Sequence, residues 1–240
     1  MFFVVRIPYN VWCRHVFYAD ERAVPLDHPD SNHHACTQVL LSKVPIPQEN
    51  IHTLDPSLLP EATSDKNVNQ DDIDIESLAE AYEHVLIQHF VQKDAARFPI
   101  FDLILLGMGP DGHTASLFPG HPLLSGSAAS LSASGGGGSA AEAPVDVDMR
   151  WVAPIADSPK PPPKRVTLTL SVLNHAARIA FVACGKEKVP VVKKVLDGDE
   201  GKKELLPAAR VKPVYPGCLY WFLDEDAAGD LRYPREVFKL

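Results

Sequence analysis

Apolar positions along the chain fall into short blocks separated by polar and proline-rich stretches. Trp12 to Tyr18, "WCRHVFY", is rich in aromatic and β-branched residues and ends at Asp20, which predicts a strand finishing at a sheet edge. A polar loop, "ADERAVPLDHPDS", follows, and Ser31 is placed to cap a helix over "NHHACTQVLLSK" that Pro45 and Pro47 stop. "NIHTL" predicts a short strand. The strongest helical pattern lies between Asp71 and Gln92, where Ile75, Leu78, Tyr82, Val85, Leu86 and Phe90 recur every three or four positions behind acids in the first turn.

Phe101 to Leu106 is apolar without alternation, the signature of a central strand covered on both faces. "RVTLTL", "RIAFVAC" and "LYWFLD" predict further strands. "KEKVPVVKKVL" predicts a helix interrupted early by Pro190, and an acidic helix follows the last strand. Strands alternating with helices give an α/β fold, an open, mostly parallel sheet with helices on both faces in the doubly wound manner. The chain is expected to form one domain over residues 1–240. Residues 125–148, "SGSAASLSASGGGGSAAEAPVDVD", have almost nothing to bury and predict a flexible Gly/Ser/Ala-rich insertion. "SPKPPPKR" differs in kind, because its prolines stiffen the approach to a strand and hold Lys164 and Arg165 in place.

With 240 residues, 45% hydrophobic and 22% charged, the chain can bury one substantial core. No run approaches the roughly 18 apolar residues of a membrane span. "MFFVV" is cut short by Arg6 and Pro8, so a cytoplasmic protein is expected, with no membrane partner. Cys13, Cys36, Cys184 and Cys218 lie far apart with no CxxC pair and suggest neither a zinc ribbon nor a disulfide framework. The net charge of −8 argues against a nucleic-acid partner, yet an anionic small molecule needs only two or three well-placed cations.

The chemistry concentrates in "GMGPDGHTASLFPG", Gly107 to Gly120. GMGPDG satisfies GxGxxG, but Pro110 stiffens the turn, Asp111 would bring negative charge to a pyrophosphate, and Pro119 ends any following helix early. No acid ends a second strand about 20 residues on, where a ribose would be held. A small substrate approaching the backbone at Gly109 and Gly112 fits better. A helix is expected to start over Gly112 to Ser116, its dipole keeping His113 neutral and able to accept a proton, with Asp111 or Asp20 orienting the ring. His28, His33 and His34 match no metal-ligand spacing and are expected on solvent-exposed loop and helix positions.

The segments "VFYADERAVPLDHPDSNHHA", "VPIPQENIHTLD", "LLGMGPDGHTASLFPGHPLL" and "WVAPIADSPKPPPKRVTLTLSVLN" together resemble the 6-phosphogluconolactonase family of the pentose phosphate pathway, from about Trp12 to Asp224. The resemblance implies a Rossmann-like fold of the sugar-phosphate isomerase/deaminase type. It also implies hydrolysis of 6-phospho-D-glucono-1,5-lactone to 6-phospho-D-gluconate, with no metal and no organic cofactor. His113 resembles the family's general base. The N–H groups around Gly112 to Thr114 are then candidates for the carbonyl oxygen, and Arg22, Arg165 and Lys188 for the phosphate, with Asp20 and Glu21 supporting Arg22. A related amino-sugar-phosphate deaminase/isomerase also carries a DGH turn, but "TASLFPG" departs from its usual continuation.

The family begins with a further strand–helix–strand unit and a glycine-rich phosphate loop, where this sequence has only "MFFVVRIPYN". Two consequences are expected. Sheet strands lose a neighbour, and the phosphate loses backbone donors, so a catalytically impaired form that keeps the fold is the alternative reading.

Overall fold

The computed structural model describes residues 3–6, 13–60, 70–90, 98–124, 149–198, 206–229 and 231–236. The predicted insertion at 125–148 lies outside the described residues.

The chain runs through β1 (Phe3–Arg6), β2 (His15–Tyr18), β3 (Asp20–Arg22), α1 (Asn32–Val39), β4 (Ile51–His52), α2 (Ile75–Phe90) and β5 (Leu103–Leu106). It continues through β6 (Val152–Ile155), β7 (Arg165–Leu168), α3 (Leu170–Asn174), β8 (Arg178–Ala183), α4 (Val189–Leu196), α5 (Pro207–Arg210), β9 (Cys218–Leu223) and α6 (Glu225–Ala228). Six strands form the main sheet in the order β4-β2-β1-β5-β8-β9. β2 with β4, β5 with β8 and β8 with β9 pair in parallel, as expected for an α/β chain.

Two features depart from expectation. The strand read from "RVTLTL" does not join the main sheet, because β7 pairs antiparallel with β3 and β6 in a separate three-stranded sheet, β3-β7-β6. Secondly, β2 and β5 do not lack partners: β1 lies between them, antiparallel to both, with Val5 opposite Val16 on one side and Leu103 on the other. Four extended residues suffice for this, since ladder pairing needs only backbone N–H and C=O groups in register.

The main core packs Phe17, Phe101, Ile104 and Phe181 against the apolar stripe of α2, of which Ile75, Leu78, Tyr82 and Leu86 are buried. A smaller cluster of Val16, Tyr18, Cys36 and Leu41 joins the sheet to α1, so β2 is covered on both faces. Polar ties fix α2 in register. The Tyr82 hydroxyl accepts from the Tyr18 N–H at 2.7 Å and donates to the Tyr18 carbonyl at 3.1 Å, while the Glu83 carboxylate takes the N–H groups of Trp151 and Val152 at 2.8 and 2.9 Å. Among the described residues no helix is long and apolar enough to cross a membrane.

Candidate active site

The site lies beyond the C-terminal ends of β2, β5 and β8, where an open parallel sheet gathers the loops that follow its strands. After β2 come Asp20, Glu21 and Arg22. After β5 comes the turn Gly107 to Gly112 with His113, and after β8 come Gly185 and Lys188.

The turn closes on itself. Gly109 N–H donates to the His113 carbonyl at 2.9 Å, and Gly112 N–H to the Gly109 carbonyl at 3.0 Å, with Gly112 at φ +82°. The expected helix over Gly112 to Ser116 does not form. Instead Thr114 pairs with Leu117 across a tight reversal, with Ala115 at φ +48°. The Thr114 hydroxyl ties back to the Gly107 carbonyl at 2.9 Å. This corrects two expectations at once: there is no helix dipole at His113, and the Gly112 and Thr114 N–H groups are spent inside the turn, on Gly109 and Leu117. A reversal wins over a helix here because Ser116 is pulled inward: its N–H meets Thr167 Oγ1 at 3.2 Å and its hydroxyl donates to Asp20 Oδ2 at 2.7 Å.

His113 and Asp111 meet as a pair, with Nδ1 2.5 Å from Asp111 Oδ1. An ionised carboxylate only accepts, so pairing with Asp111 asks for the imidazole proton on Nδ1 and leaves Nε2 as the basic nitrogen; in that tautomer the Lys160 ammonium beside Nδ1 acts on the ring by its charge and not by a hydrogen bond. Asp20 does not orient the ring; its carboxylate is taken by Ser116 and by Asn32 Nδ2 at 3.2 Å. The imidazole stacks on Phe118 with ring centroids 4.9 Å apart, and its side chain is 17% exposed. Burial pushes His113 below the ordinary imidazole range, opposed by the hydrogen bond and charge of Asp111 and assisted by the charge of Lys160. The ring is therefore neutral at pH 7, for a different reason from the one expected. Burial opposes ionisation of Asp111, but the His113 hydrogen bond and the charges of His113 and Lys160 hold its carboxyl below the usual value.

Lys160 is the site residue that sequence reasoning missed. Its Nζ lies 3.1 Å from His113 Nδ1 and 3.4 Å from Asp111 Oδ1. The prolines do build a rigid loop, but they present Lys160; Lys164 turns away, its Nζ bonded to the Ile73 carbonyl at 2.6 Å. Arg165 is what the loop folds around, donating from Nε to the Pro162 carbonyl at 3.0 Å and from Nη2 to the carbonyls of Lys160 and Pro161 at 2.9 and 3.0 Å. The visible signal was a lysine between prolines, but only the folded loop aims it. Replacing Lys160 by Met removes a charge that disfavours imidazolium. The acid limb of the kcat/KM profile is then expected to move to higher pH, as a pH–rate series would record; an unchanged or lowered limb would break the coupling.

Arg22 and Arg165 sit opposite one another on β3 and β7, so two guanidiniums share a rung. Burial, then the charge of Arg22, lowers Arg165 to about 10, against the pull of Asp20, Asp30 and Glu21. Arg22 donates from Nη1 to the Asp30 carbonyl at 2.7 Å, while its buried Nε has no hydrogen-bond partner among the described residues. Glu21 anchors the start of α1, accepting from the N–H groups of Arg22, Asn32 and His33 at 2.8, 2.7 and 2.7 Å and from the Ser31 hydroxyl at 3.1 Å. Ser31 caps α1 as expected. Lys188 stands on the adjacent loop, its Nζ 4.0 Å from the Glu187 carboxylate. The structure thus joins Asp111, His113 and Lys160 in one group, and Asp20, Arg165 and Ser116 in a second that supports it.

A sequence profile of the family described as glucosamine-6-phosphate isomerases/6-phosphogluconolactonase matches residues 8–221. The chain belongs to this family. The 6-phosphogluconolactonase of Rattus norvegicus is 44% identical over 219 residues, covering 91% of this chain and 68% of the rat protein. That of Homo sapiens is 43% identical over 219 residues, covering 91% and 69%. Among solved structures, the 6-phosphogluconolactonase from Thermotoga maritima superposes with a TM-score of 0.62 at 31% identity, over 90% of this chain and 75% of the other. Family membership accounts for the Rossmann-like sheet.

Proposed function

We propose that the chain hydrolyses 6-phospho-D-glucono-1,5-lactone to 6-phospho-D-gluconate in the cytoplasm, as a single-domain enzyme of the oxidative pentose phosphate pathway. The observation that carries this reading is the Asp111–His113 pair, which leaves a neutral imidazole with Nε2 as its basic nitrogen. The names of the rat and human relatives support the substrate.

In the proposed reaction, His113 Nε2 takes a proton from water as the water oxygen attacks the lactone carbonyl. Asp111 holds the ring and stabilises the imidazolium that forms. The Gly112 and Thr114 N–H groups are used in the turn, and Lys160 meets the ring at Nδ1 beside Asp111, so its charge is assigned to tuning the imidazole. Collapse of the tetrahedral intermediate breaks the ring C–O bond, and His113 returns its proton to the departing oxygen. The products are a hydroxyl and a carboxylic acid on one open chain, and the acid loses its proton to solvent at neutral pH. This chemistry asks for no redox partner.

The phosphate is assigned to Arg22, with Nη1 of Arg165 and Lys188 in support. A guanidinium whose buried Nε lacks a partner, facing a second guanidinium, is a pair that an anion would relieve. Gly109 and Gly112 keep the backbone low beside the reacting centre. Arg22→Gln is expected to raise KM for the phosphorylated lactone by roughly 10- to 100-fold, one charge-assisted hydrogen bond being worth about 1.5–3 kcal/mol. Hydrolysis of unphosphorylated gluconolactone should stay the same. Equal losses on both substrates would remove Arg22 from the phosphate.

A further inference from the structure

Three histidines from three elements converge away from the catalytic turn. His15 opens β2, at the end opposite to Asp20 and Arg22; His52 closes β4; and His89 lies in the last turn of α2. One ring nitrogen from each lies within 4.8 Å of the others. We propose that His15, His52 and His89 form a binding site for one divalent cation of the zinc type, which ties the end of α2 to β2 and β4.

The donor set selects the class of metal. Three imidazoles suit zinc, copper, nickel or cobalt and offer little to magnesium or calcium, which take oxygen ligands. His89 carries the outer contact that metal-ligating histidines usually make, its Nδ1 bonded to the Val85 carbonyl at 2.8 Å. That bond keeps the proton on Nδ1 and makes Nε2 the basic nitrogen. His52 is held by stacking on Phe17, centroids 4.4 Å apart, and its ring is within 4.1 Å of that of His89, centroid to centroid.

The remaining pair is close to, but not yet at, metal geometry. His15 Nδ1 and His52 Nε2 face each other at 2.9 Å in rings only 1° from coplanar, as two neutral imidazoles sharing one proton would. Zinc–nitrogen bonds of about 2.0–2.1 Å at a tetrahedral angle hold two nitrogens about 3.3 Å apart. Loading therefore moves the shared proton to the other nitrogen of the ring that carries it, freeing both facing lone pairs, and requires the two rings to part by about 0.4 Å and tilt. His52 is buried, while His15 and His89 are half-buried, so water can take the fourth position from the outer side. The spacing of these residues matches no short metal motif, since the ligands come from separate elements.

The test uses the full chain, treated with chelator, dialysed, and titrated with ZnCl2 by calorimetry, with thermal melts and the visible spectrum of the Co2+ form alongside. One equivalent should bind and raise the melting temperature by about 5 °C at saturation. Affinity should fall at least about tenfold in His89→Gln and in His15→Asn, and stay unchanged in His113→Ala. Circular dichroism confirms that each variant is folded. If one is not, the Co2+ spectrum of the unaltered chain decides, since intense tetrahedral bands support the site and weak octahedral ones overturn it. The proposal also fails if zinc does not bind by about 100 μM, or if affinity survives in the folded His15→Asn/His89→Gln double variant or is lost in His113→Ala.

Discussion

His113→Ala is expected to lower kcat for lactone hydrolysis by about 10²–10⁴-fold, the usual contribution of a positioned general base. The fold should not change. His113 stands on a turn closed by backbone bonds from Gly109 and Gly112, and its ring contributes one stacking contact with Phe118 rather than a core layer. Steady-state kinetics with far-ultraviolet circular dichroism would check both halves. A folded variant that kept its rate would show that another group activates the water. The loss should fall on kcat more than on KM, because the base acts as the water attacks and not when the phosphate binds.

Gly109→Ala should be nearly as damaging without touching any reacting group. A Cβ at this position would lie 2.0 Å from His113 Nδ1, 2.1 Å from its Cε1 and 2.4 Å from Asp111 Oδ1. The atoms in the way belong to side chains at the rim of the site, so the protein can yield by swinging the imidazole and carboxylate aside. Stability should change little, while the Asp111–His113 contact is lost and the base is misaimed. A displacement of this size is expected to cost about 100-fold in kcat. A melting temperature within a few degrees of the unaltered chain, beside such a loss, is the predicted pattern. Full activity would mean that the observed pairing of Asp111 with His113 is not needed for turnover.

Local pattern carried most of the architecture. The stripe from Ile75 to Phe90 became α2, and the apolar block ending at Leu106 became the strand that leads into the turn carrying Asp111 and His113. What failed was pairing at a distance. Nothing in "RVTLTL" states that it leaves the parallel sheet, because the centre of a small antiparallel sheet asks for the same β-branched residues. The helix expected after His113 failed for a tertiary reason: Asp20 and Thr167 capture Ser116 from other elements and stabilise a reversal instead.

The same limit applies to the site. His113 and Asp111 lie two positions apart and could be read together, whereas Lys160 arrives from a loop whose shape depends on Arg165 gathering three carbonyls. The histidines adjacent in sequence, His33 and His34, drew attention, while His15, His52 and His89 meet only once β2, β4 and α2 pack. The expected neutrality of His113 stands on new ground, since burial and Lys160 supply what a helix dipole was expected to supply.

The most direct measurement is hydrolysis of freshly generated 6-phosphogluconolactone by the purified 240-residue chain, with the spontaneous rate subtracted and the pH varied. The proposed function predicts clear acceleration that follows the neutral form of His113, falling on the acid side as the imidazole protonates, with the midpoint below the ordinary histidine value. A folded chain that leaves the lactone to decay at its uncatalysed rate would contradict it.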